Sequence, residues 1–117
     1  MHEMGIAMEI VEIVKSSIPE EMKGAKVEKV NLKVGKLSAI VVDSLAFCFN
    51  LVVKDSPLEG VELAIEEIPV VALCKECQHQ WTVDDPVFTC EKCQSGAIEI
   101  LSGRELDIAS IEIEEKD

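Results

Sequence analysis

The sequence predicts an α+β fold: a small mixed β-sheet of about three strands with two packed helices, plus an inserted cysteine-bearing domain. Three observations carry that prediction. Two segments have helical periodicity, at least three alternate as strands do, and residues 70–96, lying between strand signals, hold four of the five cysteines.

The first element is a helix. Ile6, Ala7, Ile10, Val11, Ile13, Val14 and Ile18 recur at three- and four-residue spacings, with Glu9, Glu12, Lys15 and Ser16 between them, and Pro19 stops the run. Val30, Leu32 and Val34 then alternate with Asn31 and Lys33 up to Gly35, which reads as a strand with one buried face. Asp43 or Ser44 is placed to cap a second helix, whose apolar members Leu45, Cys48, Phe49 and Val52 precede the breaker Asp55-Ser56-Pro57. Cys48 on that face reads as a small buried hydrophobe. Val61, Leu63 and Ile65 form the next strand, ending near Pro69. Beyond the cysteines, Ile98 and Ile100 open an extended run, and Leu106, Ile108, Ile111 and Ile113 alternate with a slip of phase at Ala109-Ser110 that suggests a β-bulge. The expected division is therefore residues 1–68 with 98–117 as the α+β domain and 69–97 as the insert. No internal repeat or low-complexity segment stands out.

Composition narrows the function. The chain has 117 residues, enough for one domain with a modest core, and 48% of them are hydrophobic, which excludes wholesale disorder. Twenty-three acidic against 11 basic residues leave a formal charge of −12, and aromatic content is 3% with no tyrosine. Such a chain repels phosphate backbones and anionic lipid and lacks a base-stacking surface, so no nucleic-acid or membrane partner is expected. Glu3, Glu9 and Glu12 interrupt the apolar start, which has neither a basic leader nor a small-residue cleavage site, so a cytoplasmic location is expected. Lys23, Lys26, Lys29, Lys33 and Lys36 gather in one stretch, read either as a solvated strand edge or as a partner-facing patch.

In a reducing compartment an odd number of cysteines points to metal or free thiol and not to disulfides. Cys74-Lys-Glu-Cys77 and Cys90-Glu-Lys-Cys93 are two C-x-x-C elements twelve residues apart. Each chelates through a tight turn, and together they offer four thiolates in a tetrahedron, the closed geometry of structural Zn(II). A redox dithiol needs one such pair in a thioredoxin-like context, and a rubredoxin-like iron site needs more apolar shell than Trp81 and Phe88 supply. Acidic residues are abundant but no pair stands out as an acid/base couple, and no Gly-rich phosphate loop or nucleophile elbow is present.

The chain opens Met1-His2-Glu3. With a free α-amine, a histidine at position two offers amine, backbone amide and imidazole nitrogens as one planar chelate, and Glu3 can supply a fourth donor. Planar nitrogen ligation suits Ni(II) or Cu(II), not Zn(II). The same three residues also read as an exposed, frayed start. His79, two residues after Cys77, reads as a solvated knuckle histidine or as a group able to approach a metal.

Met1-His2-Glu3-Met4 before an apolar helix, Val34-Gly35-Lys36-Leu37-Ser38, the cysteine quartet, and Gly103-Arg104-Glu105-Leu106 with Ser110-Ile111-Glu112 together resemble the HypA/HybF family of nickel-incorporation proteins. The resemblance runs over essentially the whole chain. It implies a metallochaperone without catalytic activity, holding Ni(II) transiently through His2 with the Met1 and Glu3 backbone, and Zn(II) structurally through Cys74, Cys77, Cys90 and Cys93 in a zinc-ribbon-like domain. It also implies partners: a HypB-type GTPase, the [NiFe] hydrogenase large subunit and, in some organisms, urease accessory proteins, with the chaperone a monomer or weak homodimer. Some members carry a histidine two residues after each C-x-x-C; here the first pair has His79 and the second Ser95. The rival reading from the residues alone is a zinc-ribbon adaptor with no use for Met1-His2.

Overall fold

The structure is a computed structural model that describes residues 2–22, 24–85 and 87–114. The chain divides into two compact units, one of residues 1–33, 39–66 and 107–117, the other of residues 34–38 and 67–106. Helix α1 spans Glu3–Ser17 and α2 spans Val42–Val53. The strands are β1 Val27–Gly35, β2 Glu62–Ile68, β3 Val71–Cys74, β4 Gln80–Thr82, β5 Ile98–Ser102 and β6 Leu106–Ile113. They make two three-stranded sheets, in the orders β2-β1-β6 and β4-β3-β5. No helix is long and apolar enough, among the described residues, to cross a membrane.

In the first unit α1 packs on α2. Ala7, Ile10, Val11 and Val14 of α1 are buried, as are Leu45, Phe49 and Val53 of α2 and Val27, Val30 and Leu32 of β1. The buried side of α2 thus follows a strict four-residue spacing. Cys48, expected in the core, is displaced to the flank of that stripe and is half-buried. Helix α2 also starts one residue before Asp43, with Val41 at its cap position and no side-chain cap. The Val41 N–H is instead taken by the Glu3 carboxylate at 3.3 Å, while the Val41 carbonyl accepts the first helical bond from Leu45.

The opposite face of β1 is polar. Lys29 Nζ lies 3.6 Å from Glu62 Oε2, and Asn31 Nδ2 donates to Ser110 Oγ and Glu112 Oε2. Of the lysine stretch, Lys29 and Lys33 lie on β1 and Lys29 is paired with Glu62; Lys23 lies outside the described residues. The same contacts show a one-residue slip in the pairing of β1 with β6, between Lys26 and Asn31, where Val27 and Val30 are both buried although three residues apart. Glu114 N–H donates to the Lys26 carbonyl, a register that would set Ala109 and Ile111 on the face of Asn31, yet Ser110 and Glu112 are there. Pairing has shifted by one residue, as a bulge produces.

In the second unit β3 is the central strand. It pairs antiparallel with β4, Ala72 opposite Trp81, and with β5, Cys74 opposite Ile98. Residues 98–102, grouped by alternation alone with the first sheet, thus belong by pairing to the cysteine unit. Two glycines permit a close crossing of chain segments there. Gly35 N–H donates to the Glu105 carbonyl and Leu37 N–H to that of Gly103, both at 2.7 Å. A Cβ on Gly35 would sit 2.0 Å from the Gly103 carbonyl oxygen, and Gly103 itself has φ +116° with Val70 beneath it. Those contacts bring the Val34–Ser38 and Gly103–Leu106 motifs together.

Candidate metal centre

The second unit has little else to organise it. Among the described residues its buried apolar side chains are Val34, Val70, Ala72, Cys74 and Cys90, two of them cysteines of the quartet. The two C-x-x-C turns are backbone copies of each other. In the first, Gln78 N–H donates to the Cys74 carbonyl at 2.9 Å and Cys74 N–H to the His79 carbonyl at 2.8 Å. In the second, Gln94 N–H donates to the Cys90 carbonyl and Cys90 N–H to the Ser95 carbonyl, both at 2.9 Å. Each turn closes through a left-handed glutamine, φ 67° at Gln78 and 66° at Gln94. The repeat is visible in the sequence as Cys-x-x-Cys-Gln, five residues that are too short to stand out as a repeat beyond the two C-x-x-C elements themselves.

These turns face one another and bring all four Sγ atoms within 4.8 Å of each other. Cys74 and Cys93 sulfurs are 3.5 Å apart, and those of Cys77 and Cys90 are 3.6 Å apart. A tetrahedron of sulfurs about 2.3 Å from a zinc ion has edges of about 3.8 Å, so the donor set fits zinc without rearrangement of the backbone. The N–H groups of Cys77 and Cys93 point at Cys74 and Cys90 Sγ, each at 3.5 Å, and stabilise negative sulfur there.

The electrostatics are graded. The Cys77 N–H holds the Cys74 thiol down at about 7. At Cys90 burial pushes the thiol up, but the N–H groups of Cys93 and Lys92 outweigh it and leave the thiol below its ordinary value. Cys93 receives the Ser95 N–H, which lowers it, yet the hydrogen bond with Cys74 and burial together raise it to about 12. The His79 N–H lowers Cys77 in the same way, and burial with the Cys90 contact reverses the sign. Each short sulfur pair therefore joins one acidic thiol to one basic thiol across the two turns. Cys77 and Cys93 hold their protons near neutral pH, and a divalent cation bound by all four sulfurs displaces them.

His79 does not join the four sulfurs. Its ring stacks on Trp81 with centroids 5.4 Å apart and planes 11° from parallel, and its Nε2–H donates to Glu91 Oε1 at 2.9 Å. Neither Trp81 nor Glu91 was singled out from the sequence for this contact, because nothing in local spacing pairs position 79 with position 91.

At the other site, Met1 lies outside the described residues. His2 is exposed and sits at the cap position of α1, its carbonyl accepting from Ile6 N–H at 3.3 Å. The amides at the head of a helix have no intrahelical partner, so the His2 and Glu3 nitrogens are not committed to the helix. Glu3 is held below the usual carboxylate range, first by the Val41 N–H and also by its own backbone N–H. Its carboxylate is thereby tied to the loop that enters α2.

Comparison with known proteins gives a consistent answer. Residues 1–113 match the profile of the family described as hydrogenase/urease nickel incorporation, metallochaperone, HypA. The chain is 58% identical over 115 residues to the hydrogenase maturation factor HypA of Desulfosudis oleivorans, covering 98% of this chain and all of that one. It is 59% identical to the HypA of Desulfatibacillum aliphaticivorans over 97% of this chain and 87% of that one. The solution structure of the Ni metallochaperone HypA from Helicobacter pylori superposes with a TM-score of 0.64 at 25% identity, covering 97% of both chains. A second solution structure, of a HypA protein, gives 0.70 at 24% identity and the same fold, over 97% of this chain and 96% of that one. With a profile match over nearly its full length and relatives this similar, the chain belongs to the HypA family of nickel-incorporation metallochaperones that act in hydrogenase maturation.

Proposed function

We propose that this chain accepts one Ni(II) at its amino terminus and surrenders it to an apo-hydrogenase, while a Zn(II) held by Cys74, Cys77, Cys90 and Cys93 keeps the second unit folded. The observation that carries the reading is the family match over residues 1–113 together with an uncommitted His2 at the head of α1. The nickel donors are the Met1 amine, the His2 amide and imidazole, and Glu3. Nitrogen donors in a plane suit nickel, and copper would bind them more tightly, so selectivity rests on copper control in the cell and on partner contacts. A site at the solvent-exposed start of a helix gives cargo a short path out, whereas four thiolates closed on zinc leave no open position and suit retention.

The two compact units divide the work: the helical unit carries the cargo and the ribbon unit carries the resident metal. The partners are a HypB-type GTPase, the [NiFe] hydrogenase large subunit and, where urease is made, its accessory proteins, all met in the cytoplasm. The acidic surface favours docking on basic partner faces. Calorimetry tests the nickel site: His2→Ala abolishes the high-affinity heat of nickel binding while zinc content stays at one per chain. Nickel uptake by His2→Ala equal to the parent's would contradict the assignment.

A further inference from the structure

We propose that the His79–Glu91 hydrogen bond, with Trp81 stacked behind the ring, is a clasp that ties the second cysteine turn to the first and slows the loss of zinc; the inference rests on the four-thiolate zinc reading above.

The two cysteine turns are alike in backbone. Their backbones make the same bonds with the same left-handed glutamine, but the side chains two residues after the second cysteine take different partners. Ser95 spends its hydroxyl locally, accepting from Ala97 N–H at 3.0 Å. His79 reaches out of its own turn to Glu91, the first residue inside the opposite one.

His79 is a firm anchor. Its carbonyl caps the first turn, Gln80 after it opens β4, and Trp81 is locked opposite Ala72 in the sheet. The His79 side chain is only 18% exposed, so stacking on Trp81 fixes its aim. The second turn has no such support. Between Thr82 and Ile98 no described residue lies in a strand. Apart from the sulfurs, it is tied to the first turn, among the described residues, by Lys75 N–H donating to the Ala97 carbonyl at 2.9 Å on the exit side and by His79 donating to Glu91 on the entry side.

Zinc leaves a thiolate site by successive sulfur release, and a freed sulfur recaptures the ion for as long as its turn stays close. A tether that holds the turn keeps the effective concentration of that sulfur high. The clasp therefore acts on the rate of escape. Being spent on Glu91 and stacked on Trp81, the ring acts here as a positioning group and not as a spare ligand. A net hydrogen bond of about 0.5–1.5 kcal/mol corresponds to a change of about two- to twelvefold.

The test uses the full zinc-loaded chain, with one zinc per chain verified by elemental analysis and transfer to excess 4-(2-pyridylazo)resorcinol timed by absorbance. His79→Ala and Glu91→Ala each speed zinc loss by about three- to tenfold. The double variant is no faster than the faster single, because both remove one contact. Glu91→Gln, whose amide oxygen still accepts from the ring, stays within about twofold of the parent. With Co(II) in place of zinc, His79→Ala keeps the parent's thiolate-to-cobalt charge-transfer band. Parent rates in Glu91→Ala, multiplied effects in the double variant, or a changed cobalt band in His79→Ala overturn the clasp. A parent chain that holds no zinc overturns the four-thiolate reading along with it, whereas unchanged rates at one zinc per chain overturn the clasp alone.

Discussion

Stripping zinc should unfold one unit of this protein and spare the other. Among the described residues, the second unit buries only Val34, Val70 and Ala72 as apolar side chains that are not candidate ligands. At about 1.5–3 kcal/mol for each valine and less for the alanine, that burial supplies on the order of 5 kcal/mol. Zinc on four cysteines supplies about 10 kcal/mol or more in small zinc-dependent folds, so the metal is the larger contribution and its removal exceeds what the apolar core can hold. Among the described residues the first unit buries twelve apolar ones, including Phe49, Leu45 and Leu32, and it contains none of the four ligand cysteines. Amide hydrogen exchange after chelation is the assay. Protection should vanish in β3 and β5 while α1, α2 and the middle of β1 stay protected. Retained protection in β3 after verified zinc removal, or loss of protection in both units together, would refute the reasoning.

Other expectations follow from the same geometry. Cys77 and Cys93 keep their protons near neutral pH while Cys74 titrates at about 7, so zinc loading releases at least two protons and more as pH falls. The zinc-bound form carries none of them, so apparent zinc affinity should drop about 100-fold or more for each pH unit lowered from 8, read by chelator competition. Gly35→Ala drives a Cβ into the Gly103 carbonyl and parts two backbone hydrogen bonds, which should cost about 3 kcal/mol in urea unfolding of the zinc-loaded chain. Gly5→Ala is the matched control, since nothing lies within 4 Å of its new Cβ inside α1, and it should stabilise by about 0.5–1 kcal/mol.

Much of this architecture is legible from local chemistry. Helix α1 follows from its apolar spacing and Pro19, and the strands from alternation, because burial on one face writes a period directly into the residues. The quartet is legible because ligation demands fixed spacing within each turn. What escaped is nonlocal. The pairing of β5 with β3 depends on which strand edge the cysteine turns leave open. Cys48 at the flank of α2 differs from an inward position by a fraction of a helical turn. The start of α2 was set by a carboxylate 38 residues away, Glu3, taking the Val41 N–H. The His79–Glu91 contact likewise exists only because two similar turns are folded face to face.

If cargo nickel sits on the nitrogens of Met1 and His2, as proposed, one residue added before Met1 removes the site. Untagged protein and a variant carrying a single extra residue before Met1 are titrated with Ni(II) and followed by absorption spectroscopy, with zinc held at one per chain. The parent should take up one nitrogen-ligated nickel and the extended chain should lose that spectrum, since the amine, amide and imidazole no longer form one contiguous chelate. Equal nickel spectra and affinities in the two proteins would contradict it.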